Sequence, residues 1–207
     1  MREVALVGNG PLGPGAAAAI DAACHVVRFN RALSFGGAAG ARLDELFLVN
    51  CGGQMYEWLN DAAFWTSPAL RAARTVTLPI AADRPERGLW LWPRMSEAAR
   101  HGVNFERDVR ARLAGRAVRT LPDRTRRAAI AALCREGPPT DRPVWPSTGF
   151  LALFHYDRTL PADVRITLHG FGFSGARCHH WERERAWVGS RGAGGRVRLR
   201  GAVAQVA

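Results

Sequence analysis

The sequence predicts an α/β fold, a Rossmann-like sandwich in which a mostly parallel sheet carries helices on both faces. The chain has 207 residues, the size of a single domain, and its hydrophobic content of 47% is enough for a packed core. An apolar run near the amino terminus leads into a glycine-rich turn and an alanine-rich segment, which is the order of strand, turn and helix. We therefore expect residues 1–207 to form one domain.

The first predicted strand is the apolar run at residues 4–7, which is typical of a buried parallel strand. It leads into G-N-G-P-L-G at residues 8–13, where glycines let the backbone turn sharply and approach a phosphate. A helix and a second strand, at residues 25–30, follow. Ligands of open parallel sheets bind at the carboxyl ends of the strands. We therefore expect Asn9 and Asn30, which end the two strands, to face one ligand.

The glycine turn is open to different interpretations. It matches the dinucleotide-binding fingerprint, which also requires an acidic residue about 20 residues further on for the ribose hydroxyl. That region contains Arg28, Asn30 and Arg31 and no acid, and Pro11 is unusual within such a turn. Because an arginine suits a 2′-phosphate, an NADP-dependent oxidoreductase stays open, and so does an ordinary turn without a ligand.

The middle of the chain continues the alternation. Apolar patterns predict a strand at residues 46–49 and a helical stretch at residues 56–65. A strand at residues 74–80, loops with a short helix at residues 83–104 and a helical stretch at residues 105–137 are predicted to follow. Pro122 predicts a break in the last of these. Trp90 and Trp92 in the loop region either pack against the protein or contact a sugar. A last strand is expected at residues 197–203.

A second helix start is predicted at P-S-T-G, residues 146–149, which precedes the apolar run at residues 150–154. Ser147 or Thr148 suits the N-cap because its hydroxyl oxygen accepts a hydrogen bond from a free amide of the first turn. Such a helix start also binds phosphate through its amides and the helix dipole, with a plain N-cap as the alternative. A strand at residues 164–168 follows.

In this order, the motifs resemble those of the sialyltransferases of glycosyltransferase family 29. The large motif of that family corresponds here to V-G-N-G, I-D and V-R-F-N-R-A at residues 7–10, 20–21 and 27–32. The small motif corresponds to P-S-T-G and G-F-G at residues 146–149 and 170–172. The very short motif, H-x4-E, corresponds to His179 and Glu184.

The resemblance implies an enzyme, an inverting, metal-independent, CMP-sugar-dependent glycosyltransferase with a GT-A-like variant of the fold. The donor would carry sialic acid, Kdo or a related keto sugar, the acceptor would be a glycan or a small molecule, and no further cofactor is expected. An acceptor hydroxyl needs a base to remove its proton, and a histidine titrates near neutral pH. His179 is the predicted base, with His180 as its rival. Glu184 either orients the imidazole, contacts substrate or is a solvated helix residue.

The resemblance also implies which residues hold the nucleotide. The predicted donor-binding residues are Gly8, Asn9, Gly10, Asn30, Ser147, Thr148, Gly149, Gly170 and Gly172. Asp21 and Arg28 belong to the large motif and are expected to brace the fold.

The chain departs from the family in several features. It has neither the membrane anchor nor the stem of the animal enzymes, and the positions of their disulfide fall near Val4 and Asp163, neither of which is cysteine. A separate H-Y-Y/W-E motif is missing, unless H-H-W-E at residues 179–182 is that motif. The resemblance therefore indicates a short bacterial-type relative.

Charge and cysteine content limit the partners. The net charge of +11 comes from 29 basic residues, all of them arginine, which are scattered along the chain. We expect a solvated basic face that attracts an anionic ligand rather than a groove for nucleic acid.

The four cysteines show no C-x-x-C and no metal-ligand spacing, so no metal is expected. No apolar run has membrane-spanning length, and we predict a cytoplasmic protein. A non-catalytic relative that binds a nucleotide or a protein partner is the remaining alternative.

Overall fold

The computed structural model of the chain describes residues 2–82 and 103–200. Within these ranges the strands are β1 (Glu3–Val7), β2 (His25–Phe29), β3 (Glu45–Phe47), β4 (Thr75–Leu78), β5 (Ala117–Thr120), β6 (Arg165–His169) and β7 (Val197–Arg200). The helices of the same ranges are α1 (Ala16–Asp21), α2 (Gly52–Leu59), α3 (Ala62–Trp65), α4 (Pro68–Ala72), α5 (Glu106–Arg112), α6 (Asp123–Cys134), α7 (Thr148–Thr159) and α8 (Trp181–Ala193).

The strands form one sheet in the order β5-β4-β3-β2-β1-β6-β7, and every neighbouring pair is parallel. β1 is an interior strand of the sheet, paired with β2 on one side and β6 on the other. This interior position explains why its side chains are apolar without alternation, since both faces of the strand are covered. The predicted Rossmann-like sandwich is confirmed.

The core is divided between the two faces of the sheet. Val4 and Leu6 of β1 pack in a cluster with α6, α7 and α8, whereas Ala5 and Val7 pack on the opposite face against α1. Helices α2 to α5 cover the β3 and β4 part of that opposite face. Successive side chains of a strand point to opposite faces of the sheet, so their alternation sets which helix covers which face. Burial of each Leu or Val side chain stabilises this arrangement by about 1.5–3 kcal/mol.

Two polar residues of the predicted large motif brace a surface loop. The Asp21 carboxylate accepts hydrogen bonds from the amides of Ala41 (3.2 Å) and Arg42 (2.9 Å). Arg28, which is buried, donates to carbonyl oxygens within residues 39–42. Burial lowers the pKa of the Arg28 guanidinium, and the Asp21 charge opposes that shift. The expected bracing role of both residues is confirmed.

The helical stretch predicted at residues 105–137 is wrong in its middle. A short strand, β5, separates α5 from α6 and forms one edge of the sheet. Its residues alternate between exposed and half-buried, and four such residues carry too little apolar pattern to reveal a strand without its neighbour β4.

Trp90, Trp92 and the predicted loops around them lie outside the described residues, as do residues 201–203 of the predicted last strand. In the described ranges, no helix is both long and apolar enough to cross a membrane.

Candidate functional site

A cavity of about 710 Å³ opens at the carboxyl edge of the sheet. The ends of β1, β2 and β6, the start of α7 and the loop before α8 contribute to its wall. Most of the residues singled out from the sequence line it: Gly8, Asn9, Gly10, Asn30, Ser147, Thr148, Gly149, Gly170, Gly172, His179 and Glu184. His180 is the exception, because it is buried at the N-cap of α8 outside the cavity wall.

The glycine turn after β1 serves close packing, and two of its amides are used within the protein. The Gly8 amide donates to the His169 carbonyl (2.7 Å), and the Gly10 amide donates to the Gly170 carbonyl (2.9 Å). A Cβ atom at Gly8 or Gly10 would lie 2.4 or 2.7 Å from the Gly170 oxygen. These positions therefore require glycine because β1 and β6 approach each other here. A ligand at this turn would therefore not be bound by the Gly8 and Gly10 amides, although both residues line the cavity, and an approach of the backbone to a phosphate stays a prediction.

The same geometry disfavours the dinucleotide fingerprint. In that fingerprint the glycine turn opens directly into the helix whose start holds the pyrophosphate. Here α1 begins only at Ala16, after the N-cap Gly15, and it has 6 residues. The glycine turn is thus separate from the start of α1. The phosphate-binding loop that the NADP alternative requires is therefore not formed here.

Asn9 and Asn30 share the cavity wall, but each uses its side chain to connect strand ends. Asn9 accepts a hydrogen bond from the Leu33 amide (3.0 Å) and donates to the Phe29 carbonyl (3.3 Å). Asn30, in a left-handed backbone conformation with φ 57°, accepts from the Val49 amide (3.0 Å). Asparagine tolerates that conformation better than most residues. Direct contact of either side chain with a ligand stays a prediction.

The start of α7 forms a polar part of the wall. Ser147 is the N-cap, and its hydroxyl oxygen accepts from the Phe150 amide (3.1 Å) as the sequence predicted. The first amides of a helix lack partners within the helix. Thr148 and Gly149, the first two residues of α7, line the cavity, so this end of the helix offers it positive dipole and amide donors.

Glu184 fixes the start of α7 by hydrogen bonds with Ser147. Its carboxylate accepts from the Ser147 amide (2.7 Å) and from the Ser147 hydroxyl (2.8 Å). It is 2% exposed, so the alternative of a solvated helix residue is wrong. Burial raises the pKa of Glu184 to about 7, although the two hydrogen bonds from Ser147 act in the opposite direction.

His179 is oriented by the backbone and not by Glu184. Its Nδ1 lies 2.8 Å from the Trp145 carbonyl oxygen, which can only accept, so Nδ1 carries the proton and Nε2 is left as an acceptor. The imidazole also contacts the edge of Trp181, with ring centroids 5.0 Å apart. Burial lowers the pKa of His179, so the ring is neutral at pH 7. The rival His180 instead places Nδ1 3.3 Å from a Glu182 carboxylate oxygen.

The sequence did not indicate the remaining wall. Phe29, Phe171 and Trp181 supply aromatic surface, and Cys51 and Cys178 add thiols. Cys51 follows the end of β3 just as Asn9 and Asn30 follow β1 and β2, so the strand-end rule would have identified it. Burial raises the pKa of the Cys51 thiol to about 12, which keeps it protonated at neutral pH.

Two arginines act electrostatically on thiols of the cavity wall. Arg126 of α6, which is also paired with Asp123 (2.9 Å), acts on Cys51, and Arg142 acts on Cys178. Arg142 is also held by the carbonyl of Arg177 (2.7 Å). Across residues 2–82 and 103–200, no group of three or more His, Cys, Asp or Glu side chains is arranged to hold a metal ion. Metal independence stays a prediction.

Comparison with known proteins gives one full-length relative. No protein-family model matches the chain. The chain is 30% identical over 208 residues to a protein of Rhizobium meliloti (strain 1021) named urease operon 23 kDa accessory protein. The match covers 95% of this chain and 92% of that protein.

This relationship overturns the predicted family and activity. The relative is an accessory protein, so the assignment to glycosyltransferase family 29, the sialyltransferase-like enzyme and the CMP-sugar donor with its glycan acceptor are wrong. The structure explains how the motifs misled. Gly8 is required by strand packing, Ser147 by helix capping and Glu184 by its bonds to Ser147. The motif residues therefore reflect what the fold needs, and the fold does not specify a reaction.

Proposed function

Because the chain belongs to the family of the urease operon 23 kDa accessory protein, we propose that it is a non-catalytic accessory protein that binds a nucleotide. The observation that carries the proposal is the cavity at the carboxyl edge of the parallel sheet, where such folds bind their ligands. By the same relationship, we propose that its protein partner belongs to the urease system. A cytoplasmic location remains a prediction.

The start of α7 is the proposed phosphate end of the cavity. Thr148 and Gly149 present first-turn amides there, and the helix dipole favours an anion. Arg126 and Arg142 add positive charge nearby. The chain contains no lysine, so the P-loop sequence G-x-x-x-x-G-K-S/T is absent and backbone amides with arginine take the place of its lysine.

The aromatic wall is the proposed base end. Phe171 packs edge-on against Phe29, with ring centroids 5.8 Å apart, and both rings line the cavity. Trp181 lines the same cavity next to His179. Aromatic faces bind a nucleobase by stacking, which is tolerant of base identity. Phe171 also lies beside the helix start, since a Cβ atom at Gly149 would be 3.2 Å from its ring. A mixed wall of this kind, with amides and aromatic rings side by side, suits a nucleoside phosphate.

A thermal-shift panel tests the proposal. The panel contains the mono-, di- and triphosphates of the four common nucleosides, together with NAD and NADP. A nucleotide at 100 times its dissociation constant is expected to stabilise the protein by roughly 2.7 kcal/mol. No shift with any mononucleotide would contradict the proposal, and a larger shift with NADP than with mononucleotides would favour the dinucleotide alternative.

Thr148→Pro tests the phosphate end directly. Proline is tolerated at the first position of a helix, and Ser147 before it is extended with ψ 159°, as proline requires of its predecessor. The change removes one amide donor and one hydroxyl, so nucleotide affinity should fall about tenfold or more, the value of one charge-assisted hydrogen bond. Ala62→Pro, at the first position of α3, is the matched control. Equal affinities in the two variants would refute the assignment of this end.

The partner is tested separately. The protein is expected to bind urease from the same source in a direct binding assay with purified components. A complex that forms without added nucleotide would show that the partner does not require the cavity to be filled. Failure to bind any urease component would refute the partner and leave the nucleotide proposal to the panel.

A further inference from the structure

A buried carboxylate lies in the wall of the cavity at its proposed phosphate end. Glu184 lines the cavity, is 2% exposed and accepts both donors of Ser147. Ser147 directly precedes Thr148 and Gly149, which line the cavity and whose first-turn amides have no partner within the helix. An anion bound by those amides therefore lies close to Glu184, in surroundings where water screens charge poorly.

A bound anion and an ionised Glu184 carboxylate would repel each other strongly in this poorly solvated place. When like charges share a poorly solvated site, the proton affinity of one of them increases. Burial already raises the pKa of Glu184 to about 7 in the free protein, so at neutral pH the carboxyl holds its proton about half of the time. A bound anion shifts this balance further in the same direction.

Of the charged groups on the elements packed around Glu184, Glu182 is the one whose charge acts on its pKa. The charged or titratable residues of these elements include Glu182, Arg183, Arg185 and Arg191 on α8 with His180 at its N-cap, Cys178 and His179 in the preceding loop, and Asp123, Arg124, Arg126 and Arg127 on α6. Arg126 is paired with Asp123 (2.9 Å). Glu182 raises the pKa of Glu184 further. Arg183 donates instead to the carbonyls of Leu133 and Cys134 at the end of α6.

We propose that binding of an anionic group at the start of α7 is coupled to uptake of a proton by Glu184, a regulation that rests on the phosphate end proposed above. The proton comes from solvent and is held on a carboxyl oxygen. The neutral carboxyl still accepts from the Ser147 amide, so the helix start keeps its position. Affinity for the anion accordingly falls as the pH rises above neutrality.

Inorganic sulfate is the probe, because its charge stays constant across this pH range whereas a nucleotide's terminal phosphate titrates. If only the protonated form of a carboxyl with a pKa near 7 accepts the anion, affinity should fall about 30-fold between pH 6 and 8.5. In Glu184→Gln the fall should be less than about threefold, since glutamine does not titrate. Glu182→Gln, at the exposed neighbour, should keep the steep fall, with its midpoint at a slightly lower pH because the Glu182 charge is the smallest contribution to the raised pKa of Glu184. Dissociation constants are obtained by calorimetric titration at each pH.

A second measurement needs no variant. At pH 7.5, titrations in PIPES and in Tris should differ in heat by the uptake of roughly three quarters of a proton per sulfate. No uptake, no sulfate binding at pH 6, or the same pH dependence in Glu184→Gln would each overturn the inference. Nucleotide binding without proton uptake would contradict the inference alone. Sulfate binding with proton uptake but no nucleotide binding would contradict only the proposed function.

Discussion

Replacement of Glu184 by glutamine should change how the stability of the free protein depends on pH. The pKa of Glu184 rises from 4.5 in the unfolded chain to about 7 in the folded protein, because the carboxyl is buried. A raised pKa means that the folded protein binds more protons than the unfolded chain between these values. The free energy of unfolding therefore falls as the pH rises through this window, and the stabilising contribution is complete only below it.

The size of the effect follows from the two pKa values. Each pKa unit corresponds to 1.36 kcal/mol, so ionisation of Glu184 in the folded protein costs about 3 kcal/mol above pH 7. Glutamine has the same shape and can accept from Ser147, but it never carries the charge. The stability of Glu184→Gln relative to the unmodified protein should thus rise by about 3 kcal/mol between pH 5 and pH 9.

Urea denaturation of both proteins at pH 5, 6, 7, 8 and 9 measures this difference directly. Glu182→Gln is the matched control, since the Glu182 side chain is 74% exposed and lies on the same helical turn. Its difference from the unmodified protein should stay nearly constant with pH. A Glu184→Gln difference that is equally constant would refute the reasoning, because it would mean that the buried carboxyl does not titrate in this range.

Two further predictions concern the frame of the cavity. Gly8→Ala should destabilise the protein by about 1–3 kcal/mol, because the new Cβ would lie 2.4 Å from the Gly170 carbonyl oxygen. Gly189→Ala in α8 meets nothing within 4 Å and should stabilise by about 0.5–1 kcal/mol, so the same sign for both changes in urea denaturation would contradict the packing argument. Tyr156→Phe removes the hydrogen bond that its hydroxyl donates to the buried Glu45, and should cost about 1–3 kcal/mol in urea at pH 7. A cost below about 0.5 kcal/mol, the lower limit for a typical hydrogen bond, would show that this hydroxyl is dispensable.

Local sequence was sufficient to predict the parallel sheet and the place of the cavity. The apolar run of β1 and the glycine turn after it are signals that act over a few residues, and so is the Ser147 cap of α7. Since parallel strands all end at one edge, Asn9 and Asn30 were expected to share a wall, and they do. The edge strand β5 was missed because its pairing with β4 is its main determinant.

The sequence by itself therefore determined the fold class and the edge of the sheet where the cavity lies, because both depend on short-range patterns. Tertiary structure decided what the individual groups do. The Gly8 amide is used by the His169 carbonyl, far along the chain, and Glu184 bonds to Ser147 across 37 positions. No local pattern contains such contacts, since they arise only when β6 pairs with β1 and α8 packs beside α7. For that reason the motif resemblance picked out residues that mostly line one cavity and assigned them the wrong activity.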